Sequence, residues 1–271
     1  MMANINSFKK YITIFKISWS RALVYRFNFL LGRLRNIIVL LLLYYVWTSL
    51  TYKTGVFAGY TDIELITYVF GINILRSIIF GTQTREIAGE IDSGELSKYL
   101  VMPVNYFWFS FCRELAQRLI NLISAILEVL IFVFILKAKI ALQVDFKILL
   151  FFSVSVVLAV FVYFIFSFLI SLIAFWSREA MGPRFLYEWL LEFSSGAYFP
   201  LDILTIGVYQ ALSYLPFIFM IFFPISIYLG RFSSIQILQG IVWQIAWIII
   251  GAILCKIAWE KGLKKYSGEG I

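Results

Sequence analysis

Apolar runs alternate with short polar breaks along the chain. They cover about residues 36–50, 63–81, 107–136, 148–176 and 237–259, with a shorter run from 185 to 200. About twenty apolar residues let an α-helix cross the ~30 Å hydrocarbon core of a bilayer. The pattern predicts an all-α polytopic membrane protein with six transmembrane helices. Ahead of the first run, residues 6–27 place Phe8, Ile12, Phe15, Trp19 and Leu23 three or four apart, with Lys9, Lys10, Thr13, Lys16 and Ser20 off that stripe. A basic helix with an apolar stripe lies in the membrane interface; the plainer alternative is a lead-in to the first span. Arg26, Arg33 and Arg35 mark a boundary, and the first span starts earlier if these arginines snorkel. Residues 200–230 are apolar but broken by Pro200, Gly207, Pro216, Pro224 and Gly230. That predicts re-entrant or interfacial helices near the outer surface.

The longest charged interruption is residues 84–106, TREIAGEIDSGELSKYLVMPVNY. Arg85 to Ile91 reads as an extension of the second span, with Gly89 and Gly94 bracketing a bend. Asp92 and Glu95 have the spacing of a capping box, starting a short helix with Leu96, Tyr99 and Leu100 on one side. Pro103 ends it. Such a helix needs an apolar cover, either the headgroup layer or a groove on a partner. Lys and Arg place this stretch in the cytoplasm: 17 lie on its side of the six-span arrangement and five on the other, leaving out Arg76. Both termini then face the cytoplasm.

Composition narrows the function. Hydrophobic residues make up 62% and charged residues 14% of the chain, against roughly 25% charged in soluble domains. The net charge of +8 is explained by the inward bias of basic loops, so nucleic acid is not an expected partner. There is no histidine, which removes the commonest metal ligand and general base, and a membrane-embedded enzyme is disfavoured. Cys112 and Cys255 form no framework, so neither a metal nor a catalytic residue is assigned. No small-residue cleavage site accompanies the first apolar run, so a removable leader is not expected. No internal repeat is visible.

Charges at membrane depth are costly and mark function. Arg76 lines a pathway or snorkels to the nearby cytoplasmic end; Glu128 lines a pathway or pairs with Arg76. Glu188 and Glu192, four apart, form a relay with Asp202 or pair with Arg184. Asn121, Ser124, Ser167 and Ser171 are expected to join helices by hydrogen bonds.

Gly94 to Val104 (GELSKYLVMPV) resembles the G-x-L-x-x-x-L-x-x-P-V loop of type-2 ABC transporter permeases. The particular likeness is to small separate permease subunits of the daunorubicin/multidrug-resistance type. The order of basic N-terminal helix, six spans, this loop and the Gly196-x-x-Phe199-Pro200-Leu201 break extends the likeness over nearly the whole chain. The resemblance implies that residues 6–27 form a connecting helix. It implies that residues 84–106 contain a coupling helix seated on a separate cytoplasmic ABC ATPase, and that residues 200–230 include re-entrant extracellular helices. The coupling contacts are expected at Gly94, Glu95, Leu96, Tyr99, Leu100 and Pro103, steered by Arg85 and Glu90. The substrate-pathway candidates are Glu128, Arg76, Glu188 and Glu192. The chain lacks a G-x-x-x-x-G-K-[ST] phosphate loop, so it binds no cofactor itself; ATP and Mg belong to the partner ATPase. A second permease, the same chain or a sister, is expected beside it, in a bacterial cell membrane. The alternative function is a non-transporting membrane anchor or regulator of a cytoplasmic protein.

Overall fold

The computed structural model describes residues 2–24, 26–177 and 179–266, and their side chains except those of residues 2–8, 21–24 and 26–28. The readings that fall on Phe8, Leu23, Arg26 and Arg178 lie outside the described residues. The helices are α1 (Met2–Val24), α2 (Arg26–Thr51), α3 (Asp62–Ile79), α4 (Thr84–Asp92), α5 (Leu96–Leu100), α6 (Tyr106–Leu136), α7 (Phe146–Ser171), α8 (Met181–Ser194), α9 (Ile206–Ser213), α10 (Phe222–Tyr228) and α11 (Ser234–Lys265). A two-residue hairpin, β1 (Val56–Phe57) with β2 (Tyr60–Thr61), joins α2 to α3.

Polar residues at the edges of the apolar runs set where the long helices start. Thr61 and Glu64 form a reciprocal capping box at α3, and Ser233 and Gln236 do the same at α11. Asn105 caps α6 by accepting from the Trp108 amide, and Asp145 caps α7 by accepting from that of Lys147. α6 ends at Lys137 in the left-handed conformation.

Among the described residues, five segments are long and apolar enough to cross a membrane: Phe29–Thr51, Asp62–Asp92, Tyr106–Leu136, Phe146–Phe175 and Ser234–Lys265. The expected fifth crossing is different. α8 has 14 residues, about 21 Å at 1.5 Å per residue, too short for the core alone. After it the chain turns at Gly196, and the segments Ile206–Ser213 and Phe217–Tyr228 bend by 81° against each other. Gln244, three turns into α11, donates to the carbonyls of Phe219 and Ser155, and the Phe222 amide bonds the Ser195 carbonyl. The bent pair therefore meets α11 about 15 Å along from that helix's start. α10 is buried from Phe222 to Ile227.

The main core joins α3, α4, α6, α7, α10 and α11. α11 presents Gly240, Gly251 and Gly262 every three turns. An added Cβ at these positions would lie 2.1–2.5 Å from side-chain atoms of Phe223, Ile165 and Phe175. The missing side chains let α11 seat these knobs closely. α1 packs along α6, and the face it turns inward carries Tyr11, Ile14, Phe15, Ser18 and Trp19, whereas Ile12 and Ile17 are exposed.

At the hairpin end, the Arg231 guanidinium stacks 3.5 Å over the Tyr60 ring and approaches Asp202 at 3.3 Å; Tyr60 donates to the same carboxylate at 2.8 Å. Asp202 is thus part of this clasp, whereas Glu188 and Glu192 pair with other arginines. Burial, then the Asp202 charge, push the Tyr60 phenol well above its ordinary pKa.

Gly196 has φ +82°, and Tyr68 donates to its carbonyl at 2.7 Å. A Cβ there would meet the Tyr68 hydroxyl at 2.8 Å and the Phe222 Cβ at 2.9 Å. Gly196→Ala is expected to cost about 2–3 kcal/mol, since left-handed strain and a close contact coincide. Thermal unfolding of the purified protein checks this, and an unchanged midpoint would remove Gly196 from the turn's requirements.

Candidate functional site

The segment between α3 and α6 begins with a break in the helix at residues 80–83. Phe80 is extended and ends α3; α4 starts at Thr84. The buried face of α4 is Thr84, Ile87, Ala88, Glu90 and Ile91. Glu90 accepts from Arg113 at 2.5 Å and from the Tyr106 hydroxyl, so it braces α4 against the start of α6 instead of meeting solvent. Gly94 makes the bend alone, with φ +77°; Gly89 is an ordinary helical residue with open space beside it.

The Asp92–Glu95 capping box does not form. α4 runs on through Asp92, so its amide and side chain belong to the preceding helix, and no side chain caps α5. Glu95 instead pairs with Lys98 at 2.8 Å; that bond lowers the Glu95 pKa and raises that of Lys98.

α5 turns Leu96 fully inward, into the main core. Tyr99 is half-buried, its ring 5.6 Å from Tyr106 and 4.9 Å from Phe109. The Tyr266 hydroxyl meets Ser97 at its amide and hydroxyl, 3.2 and 3.1 Å. The surface left outside is Leu100 at 43%, Val101 at 85% and Met102 at 46% exposure, followed by exposed Pro103 and flanked by the Glu95–Lys98 pair. A helix of five residues cannot hold its place without an anchor, and Leu96 is that anchor. The projecting apolar tip is one turn later than the periodicity placed it.

Behind the break lies a polar cluster that the sequence reading divided among separate elements. Glu114 of α6 accepts from the Thr84 amide at 3.0 Å, and Tyr163 of α7 donates to the Gly81 carbonyl. Ser167 meets the Thr84 hydroxyl at 2.8 Å, and Ser171 donates to the Thr84 carbonyl at 2.7 Å. Arg184 of α8 donates to both Thr84 oxygens, at 3.0 and 2.7 Å, and to both serines. Ser167 and Ser171 thus join helices as expected. Ser124 bonds its own helix at Ile120, and Asn121 accepts from Gln117 in the same helix. Glu114 and Arg118 are fully buried, 3.6 Å apart, with Arg118 lying 5.4 Å from the Tyr163 ring centre.

Beside this cluster, α2, α3, α4 and α8 enclose a groove. It consists of an outer cavity of about 730 Å³ and an adjoining one of about 250 Å³, which share Arg35, Asn36, Arg76, Arg85, Glu188 and Glu192. Arg76 neither snorkels nor meets Glu128. It binds Glu192 at 2.7 Å and lies over the Tyr198 ring, because its position on α3 faces α8. Glu188 binds Arg85 on one side and Arg184, 3.1 Å away, on the other. Glu128 is turned to Arg33, which donates to it from two nitrogens, one at 2.6 Å, with Asn73 3.4 Å away. Arg33 is accordingly buried, not a boundary arginine in water. Arg76, Glu188 and Glu192 therefore share one groove, and Glu128 stands outside its lining.

No group of three or more metal-ligating side chains occurs among the described residues. The arrangement offers charge pairs, a concave amphipathic groove and a projecting apolar tip. These suit binding and movement more than bond chemistry.

No curated protein and no solved structure matches the chain. A family model described as ABC-2 family transporter protein matches residues 34–270, which takes in the break, the tip, most of the groove's lining and the bent pair. The chain belongs to the ABC-2 family of transporter proteins, as a multi-pass membrane permease subunit.

Proposed function

We propose that the chain is the permease of an ATP-driven exporter, moved by a separate cytoplasmic ATPase that docks on the tip at residues 100–103. ATP and Mg belong to that subunit, and a second permease, the same or a sister chain, completes the pathway. The observation that carries this reading is the tip itself. Val101 is held out on a short helix anchored by Leu96, while α4 behind it is braced by Glu90 to the start of α6. A load applied at the tip therefore reaches the membrane helices through ion pairs and packed side chains. For ATP to drive transport, nucleotide on the ATPase must favour one permease arrangement over the other. The amphipathic groove beside the break supports an amphipathic substrate. Arg85 steers docking less well than the sequence implied, since its guanidinium is engaged by Glu188.

The test is Val101→Asp in the chain co-expressed with its ATPase. Because Val101 is 85% exposed, folding is expected to be unaffected. A charge at the centre of an apolar contact costs 2 kcal/mol or more, so permease-stimulated ATP hydrolysis is expected to fall about 30-fold or more. Parental co-purification and stimulation in the variant would overturn the docking assignment. Co-purification of the parental chain with a cytoplasmic protein that never turns over ATP would favour an anchor.

A further inference from the structure

We infer that the groove between α2, α3, α4 and α8 receives the acidic head group of an amphipathic molecule. This deepens the transport reading and rests on it. The first ground is charge. Five arginines reach the two cavities, Arg33, Arg35, Arg76, Arg85 and Arg184. The carboxylates paired with them are Glu128, Glu188 and Glu192. Two positive charges are left over beside apolar walls, and the exposed Arg35 and Arg85 are open to a ligand there.

The second ground is where the surplus sits. Arg35 makes no ion pair with any described residue and is exposed at the groove. Arg85 and Arg184 share one carboxylate, that of Glu188. One terminal nitrogen of Arg76, Nη1, is buried without a hydrogen-bond partner. An acid beside Arg35 and Arg85 would supply the missing negative charge by charge-assisted hydrogen bonds of the kind guanidinium groups make with carboxylate and phosphate.

The third ground is the rest of the wall. Val39 and Leu43 of α2, Val69 of α3 and Phe185 and Trp189 of α8 line the larger cavity. An apolar body therefore has a place directly behind the acid. A cationic amphipath meets the same wall but adds to the surplus charge.

The experiment uses the full chain with its ATPase in phosphatidylcholine nanodiscs and two probe pairs. One pair is dansyl-undecanoate against a trimethylammonium probe of equal length, a soluble source of the acid. The other is NBD-labelled phosphatidylglycerol against NBD-labelled phosphatidylcholine, a bilayer source. In at least one pair the acidic probe is expected to bind about tenfold tighter, which also identifies the source. That ratio is expected to fall several-fold in Arg35→Gln and in Arg85→Gln, and to shrink when salt rises from about 0.05 to 0.5 M. Equal binding in both pairs, a preference for the cationic probe, or a preference undiminished in both variants would overturn the inference. ATP hydrolysis by the same complex is read separately. If it is present without acid preference, only this inference fails; if no ATPase subunit assembles, the transport reading fails whatever the probes do.

Discussion

Arg33→Met is expected to destabilise the protein by about 3–5 kcal/mol, while Arg33→Met combined with Glu128→Met returns most of that loss. Both side chains are about a tenth exposed, and the pair bridges α2 to α6. Removing the arginine alone leaves the Glu128 carboxylate in apolar surroundings with only Asn73 at 3.4 Å to solvate it. An uncompensated buried charge of this kind is the expensive case, whereas replacing both partners by apolar side chains of similar volume is close to neutral. Denaturation of the three variants in lipid nanodiscs, analysed as a double-mutant cycle, measures the coupling. Losses that simply add would show that the two groups stabilise the fold independently, and the α2–α6 link would have to lie elsewhere.

Gly81→Ala is the second large effect. A Cβ at residue 81 would lie 1.1 Å from Glu114 Oε1, so the carboxylate must leave its place. With it go the bond from the Thr84 amide, worth about 1.5–3 kcal/mol as a charge-assisted contact, and the partner of buried Arg118. The expected cost is about 3–5 kcal/mol. Gly89→Ala is the control: Gly89 is helical with open space around it, so alanine there is expected to be neutral or to stabilise by up to about 1 kcal/mol. Thermal unfolding of the pair separates the two sites. Equal midpoints for both variants would mean that Glu114 has somewhere else to go.

The spans were legible in the sequence because hydropathy reports on lipid contact residue by residue, and in lipid the backbone has few alternatives to a helix. The bent segment after Pro200 was legible for the same reason in reverse, since its prolines and glycines exclude a continuous crossing. Chain pairing was not legible. Arg33 read as a boundary residue by position, yet one helical face turns it to Glu128, 95 residues away. Arg76 and Glu128 sat at compatible depths, but each faces a different neighbour. The inward turn of Leu96 could not be read from periodicity because five residues are too few to fix a face. Val101 and Met102 stand beside the expected contacts, off the side of the expected helix that carries Leu96, Tyr99 and Leu100. Glu114 and Arg118 share one buried pocket. Nothing in the sequence around them shows that a glycine 33 residues earlier makes their pocket.

The break between α3 and α4 has one more consequence. Its polar groups are met by side chains lent from three other helices: Glu114 from α6, Tyr163, Ser167 and Ser171 from α7, and Arg184 from α8. Straightening α3 and α4 into one rod would strand all of these partners together, most of them on buried side chains. No partial release is cheap, because each partner also bonds or neighbours another in the same cluster. The joint is therefore expected to be all-or-none, staying bent under small loads and yielding as a unit, the behaviour of a snap fastener more than of a spring.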